Sequence, residues 1–217
     1  MLGVHGGFPG LRDGRVAELE WQDVEGWTGD AGAHLGIRRE VPTVEELYKI
    51  SRVLEDGHID ALVVAGGWNA YRAAHLLYSE RDRYPALRIP IVCIPVSIDN
   101  NLPGSELAIG ADTALQSLVD VIDRVKTSAE AVHRCFVVET MGRYCGYLAL
   151  MSALAGGGER VYLHEDGITL DQLAADSHWM KRSFAQGREL VLAIRNERAN
   201  EMFTTDVLAR IFEEEGG

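Results

Sequence analysis

Four short apolar runs, each followed by glycine or polar residues, constrain the fold of this 217-residue chain more than any other feature. They cover residues 59–65, 89–94, 135–138 and 189–194, and the first of them is predicted to form a fully buried strand. Around them lie stretches with helical apolar spacing, at about 43–57, 70–79, 110–125, 144–154 and 170–185. Strands that alternate with helices in this way indicate an α/β fold that is doubly wound, with mainly parallel sheets.

The composition excludes several classes of function. Hydrophobic residues make up 47% of the chain and charged residues 25%, as in ordinary globular proteins. A net charge of −12 without any basic stripe argues against a nucleic-acid partner. No apolar stretch is long enough to span a membrane, and Cys93, Cys135 and Cys145 lack metal-ligand spacing. The sequence therefore predicts a cytoplasmic protein with reduced thiols and no membrane partner.

The segment that follows the second apolar run, residues 95–104, combines Ser97, Asp99, Asn100 and Asn101. In an open α/β sheet, ligands bind beyond the carboxyl ends of the strands. A hydroxyl, a carboxylate and two amides suit a polyhydroxylated or phosphorylated ligand, and Asp99 could take a proton from an attacking hydroxyl. The other interpretation is an Asx-rich turn whose side chains cap only their own backbone.

Three further strand ends carry similar groups: Gly66 with Gly67, residues 141–143, and residues 195–197. Several such ends at equivalent positions favour a ligand-binding cleft over plain turns. The standard nucleotide motifs are absent from the sequence, since no glycine-rich loop ends in Gly-Lys-Ser/Thr and no Gly-x-Gly-x-x-Gly follows a strand.

Three blocks of sequence resemble successive motifs of the 6-phosphofructokinase family: SIDNN at 97–101, IGADTA at 109–114 and VETMGRYCG at 138–146. The similarity extends over almost the whole chain. It continues through GWTG at 26–29, LGIRR at 35–39, GGWNAY at 66–71, RNER at 195–198 and TTD at 204–206. Several blocks are most similar to the C-terminal, regulatory half of the tandem eukaryotic-type enzymes.

The resemblance implies ATP-dependent phosphorylation of fructose 6-phosphate in glycolysis, with Mg²⁺ and ATP as cofactors. Asp99 matches the general base that activates the sugar 1-hydroxyl. Arg134 matches an arginine that reaches a neighbouring subunit's phosphate site, which implies a homo-oligomer or a partner half-domain. The positions that match substrate or effector contacts are Ser97, Ile98, Asn100, Asn101, Arg134, Met141, Gly142, Arg143 and Glu197. Those on the nucleotide side are Arg39, Gly66 and Gly67.

The chain departs from the catalytic pattern on the nucleotide side. Catalytic members place an aspartate directly after the Gly-Gly pair to hold the magnesium of ATP, and Trp68 stands at that position. An indole cannot coordinate a hard divalent cation. Asn101 stands where a second aspartate is usual, whereas Asp99 and Arg143 keep the catalytic form. We therefore expect a degenerate nucleotide pocket and no metal site in this chain.

The resemblance also implies two lobes, residues 1–131 on the nucleotide side and 132–217 on the sugar-phosphate side, with the family fold incomplete at both ends. Three hypotheses follow. The chain is part of a 6-phosphofructokinase whose ATP contacts come from elsewhere, so that it is inactive alone. Alternatively, it is a non-catalytic, allosteric half that binds fructose 2,6-bisphosphate or fructose 6-phosphate. The third hypothesis is a remnant without a ligand.

Overall fold

The computed structural model describes residues 1–30, 32–132 and 134–216, and they form two compact units, Met1–Pro95 and Val96–Gly217. The lobe boundary expected between residues 131 and 132 falls inside the second unit. The two compact units are defined by contacts between residues, whereas the two expected lobes are defined by the ligands that each is expected to bind. The assignment of the two lobes therefore stays a prediction.

The first unit contains two small sheets. Its helices and strands are β1 (Leu2–Val4), α1 (Gly7–Arg12), β2 (Val16–Glu18), α2 (Trp21–Val24), α3 (Leu47–Asp56), β3 (Leu62–Gly66), α4 (Trp68–Ser79) and β4 (Ile91–Pro95). Strands β1 and β2 pair antiparallel, and β3 pairs with β4 in parallel from Leu62↔Ile91 to Gly66↔Pro95. The predicted stop of α3 is present, since Gly57 is its C-terminal cap.

The burial of β3 differs from the expectation. Leu62 and Val64 lie in the core of the first unit, but Val63 on the opposite face is 68% exposed. Val92 of β4 is 56% exposed. The prediction that residues 59–65 form a fully buried strand was wrong, because an all-apolar run does not reveal whether the second face of its sheet is covered.

The second unit is built on one parallel sheet. Its elements are α5 (Ala111–Val132), β5 (Cys135–Thr140), α6 (Tyr147–Gly156), β6 (Arg160–Tyr162), α7 (Leu170–Ala185), β7 (Val191–Asn196) and α8 (Thr205–Gly216). The strand order is β5-β7-β6, with β5 and β7 in register from Cys135↔Val191 to Thr140↔Asn196. Helix α6 begins later than the predicted residue 144, because the Cys145 amide first closes a turn on the Gly142 carbonyl oxygen at 3.0 Å.

Strand β7 lies at the centre of the second unit and is buried along its whole length. Successive side chains of a strand point to opposite faces. Val191 and Ala193 therefore join the core formed with α7 and α8, and Leu192 and Ile194 join the core formed with α5 and α6. Helices on both faces of a parallel sheet confirm the predicted α/β class. Within the described residues, no helix is long and apolar enough to cross a membrane.

Candidate functional site

The carboxyl ends of β5, β6 and β7 lie at one edge of the sheet, because all three strands are parallel. The turn after β5 brings Met141, Gly142 and Arg143 to this edge, and Glu197 follows β7 next to it. The Glu197 amide donates to the Thr140 carbonyl oxygen at 2.9 Å, so the two segments are in contact. The structure thus brings together these four predicted residues, with the side chains of Met141 and Arg143 exposed to solvent.

Gly142 is a glycine for two reasons. Its φ of 125° lies in the region that side-chain-bearing residues rarely adopt. A Cβ atom added at Gly142 would also lie 2.5 Å from the Cys145 carbonyl oxygen and 2.9 Å from Nδ2 of Asn196. The turn that presents Arg143 therefore depends on the absence of a side chain at position 142.

Asn196 ends β7 as a fully buried carboxamide, with none of its surface exposed. Its Nδ2 group donates to the carbonyl oxygens of Gly142 at 2.6 Å and Cys145 at 3.2 Å. Its Oδ1 atom accepts from the amide of Arg198 at 3.1 Å. All the polar groups of the side chain are therefore used, and they link the turn after β5 to the segment after β7.

Arg195 points to the other face of the sheet and is 1% exposed. Its guanidinium pairs with Glu139 at 2.5 Å and donates to the carbonyl oxygens of Asn200 at 2.6 Å and Phe203 at 3.1 Å. The Thr205 hydroxyl donates to the same Glu139 carboxylate. Residues 195–197 are among the strand ends predicted to carry candidate binding groups, but a ligand contact was predicted only for Glu197. The available signal was a pair of polar residues at the end of an otherwise apolar strand.

The Asp99 segment forms a loop with its own hydrogen bonds. The Ser97 hydroxyl oxygen accepts from the Asp99 amide at 3.1 Å. Asn100, with a positive φ of 51°, accepts from the Ala108 amide at 2.8 Å and donates to the Glu106 carbonyl oxygen at 3.2 Å. The side-chain carboxamide of Asn100 therefore forms its hydrogen bonds within the loop, as expected if this segment is an Asx-rich turn. Within the described part of the chain, the Asp99 carboxylate takes part in no hydrogen bond and no ion pair.

Electrostatics connect the Asp99 loop to the turn after β5. Burial raises the pKa of the Cys145 thiol above its usual range, a hydrogen bond with the Tyr147 backbone opposes the shift, and the negative charges of Glu165 and Asp99 add to it. The contribution of Asp99 is the smallest of these. Two positions after Asp99, Asn101 buries its Oδ1 atom, which has no hydrogen-bond partner among the described residues.

Arg134 lies at the opposite end of β5 from Arg143. It directly precedes Cys135, the first residue of the strand, and its side chain is exposed. A strand rises about 3.3 Å per residue, so the ends of β5 are separated by roughly 17–20 Å. Arg134 and Arg143 of one chain therefore cannot hold the same phosphate group.

In the first unit, the predicted nucleotide-side residues lie near the start of α4. Gly66 ends β3, Gly67 caps α4 and Trp68 is its first residue, with 47% of its surface exposed. The Asn69 side chain donates to the Arg39 carbonyl oxygen at 2.6 Å, so Arg39 lies beside this helix start. The structure brings these residues together but places an indole, not a carboxylate, at the head of the helix.

The family model described as phosphofructokinase matches residues 1–217, the full length of the chain. This chain belongs to the phosphofructokinase family. The ATP-dependent 6-phosphofructokinase of Dictyostelium discoideum is 41% identical over 217 residues, and the human muscle-type ATP-dependent 6-phosphofructokinase is 40% identical over the same length. All of this chain is matched, but it spans only 26% and 28% of those two proteins. The match is consistent with a piece of one half of a tandem enzyme.

Solved phosphofructokinase structures share the fold. The Saccharomyces cerevisiae phosphofructokinase aligns with a TM-score of 0.94 at 36% identity, covering 98% of this chain and 29% of that one. The Pichia pastoris phosphofructokinase in the T-state gives a TM-score of 0.94 at 39% identity, over 98% of this chain and 25% of its own. A pyrophosphate-dependent phosphofructokinase from Marinobacter aquaeolei has a TM-score of 0.76 at 18% identity, over 97% of this chain and 55% of that one, a likeness of fold alone.

The residues of this phosphofructokinase chain do not fit the Mg²⁺ ion of ATP. Magnesium requires oxygen ligands, commonly one or two carboxylates together with phosphates and water. The head of α4 offers Trp68, whose indole presents no oxygen ligand.

Proposed function

We propose that this chain is the sugar-phosphate-binding part of an ATP-dependent 6-phosphofructokinase, with a degenerate nucleotide and metal site. One observation carries the proposal. The exposed Arg143 turn is held by a buried hydrogen bond from Asn196 to the Gly142 carbonyl oxygen, within the same unit as the Asp99 loop. The names of the relatives supply the reaction class, a phosphotransferase of glycolysis.

In this proposal, each residue at the carboxyl edge has a role that its chemistry supports. An arginine binds a phosphate with two parallel N–H donors, so Arg143 holds the phosphate of fructose 6-phosphate. Glu197, Ser97 and the backbone of Met141 and Gly142 contact the sugar. Asp99 accepts the proton of the sugar 1-hydroxyl when a phosphoryl donor is delivered. We propose that another part of the complete enzyme delivers it, so this chain alone is inactive.

The second candidate function is a non-catalytic, allosteric half that binds fructose 2,6-bisphosphate or fructose 6-phosphate. Trp68 at the head of α4 favours it, because an exposed indole replaces the carboxylate that MgATP requires. Turnover in a complete enzyme that contains this chain separates the two candidates. Loss of that turnover in an Asp99→Ala variant supports the catalytic reading, and full turnover leaves the regulatory one.

Arg134 supports a further part of the proposal, an oligomeric assembly in the cytoplasm. It is exposed at the end of β5 that is remote from Arg143. In the family pattern, the matching arginine serves a neighbouring subunit. We propose that Arg134 reaches the phosphate site of a second copy or of a partner half-domain. Sedimentation of the chain with and without fructose 6-phosphate tests this part.

The main test is a thermal-shift titration of the chain with fructose 6-phosphate, fructose 2,6-bisphosphate and MgATP, each alone. A ligand at 100 times its Kd adds about 2.7 kcal/mol to the stability, which raises the Tm by roughly 5–10 °C. We expect the sugar phosphates to raise the Tm and MgATP to leave it unchanged. A clear shift with MgATP would contradict the interpretation of Trp68. No shift with any ligand, in a chain that melts cooperatively, would favour the remnant hypothesis.

A further inference from the structure

The buried carboxamide of Asn196 determines how two peptide groups of the turn after β5 are oriented. It donates to the Gly142 carbonyl oxygen at 2.6 Å and to the Cys145 carbonyl oxygen at 3.2 Å. Both carbonyl groups therefore point inward, towards a side chain that no ligand can reach. The described residues contain no cis peptide bond. In a planar trans peptide, the carbonyl of one residue and the N–H of the next point in opposite directions.

The peptide between Cys145 and Gly146 shows the consequence. Its carbonyl group points to Asn196, and its N–H group, which belongs to Gly146, points away. That N–H donates to both carboxylate oxygens of Glu165, at 2.8 Å and 3.0 Å. An anion thus already occupies the outward N–H of one of the two peptides that Asn196 orients.

The peptide between Gly142 and Arg143 is oriented in the same way. Its carbonyl group accepts from Asn196 at 2.6 Å, so the Arg143 N–H points away from the buried side. Within the described segments, this N–H donates to no protein group. The Arg143 N–H group lies on the exposed turn, on the same residue as the exposed guanidinium side chain. Backbone N–H groups that point outward beside an arginine suit a phosphate group.

We propose that Asn196 is a positioning residue for sugar-phosphate binding. It turns the Arg143 amide towards the ligand and couples this turn to the Glu197 segment, while never touching the ligand itself. The inference rests on the proposed function, because it assumes that the Arg143 turn binds fructose 6-phosphate. The coupling runs through the Oδ1 atom of Asn196, which accepts from the Arg198 amide at 3.1 Å directly after Glu197.

The Asn196→Asp variant tests the proposal, because it keeps the shape and the Oδ1 acceptor but removes the two donors. A buried carboxylate facing two carbonyl oxygens has a raised pKa, well above the ordinary value of about 3.9. Below that pKa, the protonated acid donates one hydrogen bond and restores the turn. Above it, the ionised group repels the Gly142 carbonyl group, and the Arg143 amide loses its orientation. The titratable and charged groups on the segments that contact Asn196 are those of Arg143, Cys145, Glu197 and Arg198, together with the Glu165 carboxylate that accepts from the Gly146 amide.

The measurement is the Kd for fructose 6-phosphate at pH 8.5 and at pH 6, for the wild type and the variant in parallel. The ratio of the two Kd values cancels the titration of the ligand's own phosphate. We expect the variant to bind roughly tenfold more weakly at pH 8.5, the effect of about one lost hydrogen bond, and to approach the wild type at pH 6. Equal Kd values at pH 8.5 would overturn the proposal. A deficit that is the same at both pH values would mean a merely structural role.

The matched control is Asn200→Asp, the same substitution in the same unit. It removes the donor to the Ile168 carbonyl oxygen at 3.3 Å and leaves the Arg143 turn untouched. Its Kd should stay within about twofold of the wild type at both pH values. Circular dichroism and thermal melts establish that both variants are folded under the conditions of the binding measurement.

A readout without ligand separates this proposal from the proposed function. The Cys145 amide closes the turn on Gly142 at 3.0 Å, so its hydrogen exchange reports on the turn. At pH 8.5, Asn196→Asp should speed hydrogen exchange of the Cys145 amide relative to the exchange of the β7 amides. Asn200→Asp should leave this ratio unchanged. If the wild type binds no sugar phosphate, the proposed function fails. In that case, unchanged hydrogen exchange at Cys145 in Asn196→Asp would overturn the orienting role of Asn196. Faster exchange would support that role, with an anion other than a sugar phosphate as the ligand of the turn.

Discussion

Strands β3 and β7 both end in a predicted ligand-binding turn, but they hold those turns differently. One face of β3 is open, with Val63 68% exposed, whereas both faces of β7 are covered by helices. The end of β3 carries Gly66 and Gly67, followed by the exposed indole of Trp68. The end of β7 carries two buried polar side chains that reach in opposite directions, Arg195 and Asn196.

This difference shows where a fixed binding geometry can come from. A buried polar group must satisfy its hydrogen bonds within the protein, so it holds its neighbours rigidly. Asn196 donates to the Gly142 carbonyl oxygen and accepts from the Arg198 amide. Arg195 donates to the carbonyl oxygen of Glu197, so the two side chains together hold the segment around Glu197. Near the start of α4, the Asn69 side chain donates to the Arg39 carbonyl oxygen, and this bond is exposed. We infer that the second unit carries the preorganised site.

The largest effect that separates the two regions should come from Arg195→Ala. The substitution leaves Glu139 without its ion pair and removes the donors to the Asn200 and Phe203 carbonyl oxygens. We expect the free energy of unfolding to fall by about 3 kcal/mol, because a buried guanidinium and its hydrogen bonds to two carbonyl oxygens are lost. Arg39→Ala in the first unit should change it by less than about 0.5 kcal/mol. Urea unfolding followed by circular dichroism measures both, and similar losses in the two variants would contradict the comparison.

A smaller loss should follow from Gly142→Ala. The new methyl group would collide with the Cys145 carbonyl oxygen at 2.5 Å, and the φ of 125° would be strained. We expect a loss of about 2 kcal/mol in the free energy of unfolding. Gly29→Ala in the first unit is the control, since a Cβ atom there meets nothing within 4 Å. If Gly142→Ala is as stable as its control, the turn is not held as described.

The smallest effect concerns two cysteine thiols, Cys93 on β4 and Cys135 on β5, and the pH dependence of their reactivity. Burial, with a minor contribution from Glu159, raises the pKa of Cys135 on β5 to about 12, and burial raises that of Cys93 on β4 by less. The thiolate is the reactive form, so iodoacetamide at pH 9 should label Cys93 faster than Cys135. A raised pKa in the folded state favours the neutral thiol. The contribution of Cys135 to stability is thus full below pH 9 and lost as the pH rises towards 12. Faster labelling of Cys135, followed by mass spectrometry, would refute this order.

The sequence was sufficient to predict much of the fold because its periodicity is local. The helices around Leu47–Asp56 and Leu170–Ala185 and the strand at Cys135–Thr140 follow from apolar spacing and from cap residues such as Gly57. The open face of β3 could not be predicted, since burial depends on what packs against the sheet. No property of Val63 itself distinguishes the two environments.

The candidate site was predictable only in part. Met141, Gly142, Arg143 and Glu197 were assigned by their resemblance to family motifs, and the structure brings them to one edge. The residues that hold them could not be found in the same way. Asn196 contacts a turn 54 positions earlier in the chain, and Arg195 pairs with Glu139 at a separation of 56. Pairings of this range depend on strand order, which no local pattern specifies.

We infer that the Arg143 edge of the second unit binds a sugar phosphate without help from a nucleotide. Calorimetric titration with fructose 6-phosphate tests it most directly, on the wild type, Arg143→Ala and Arg198→Ala. Arg198 has the same charge after β7 but is already near Glu201, at 3.8 Å. We predict that Arg143→Ala weakens binding at least about tenfold and that Arg198→Ala stays near the wild type. Equal binding by the wild type and Arg143→Ala would contradict the account.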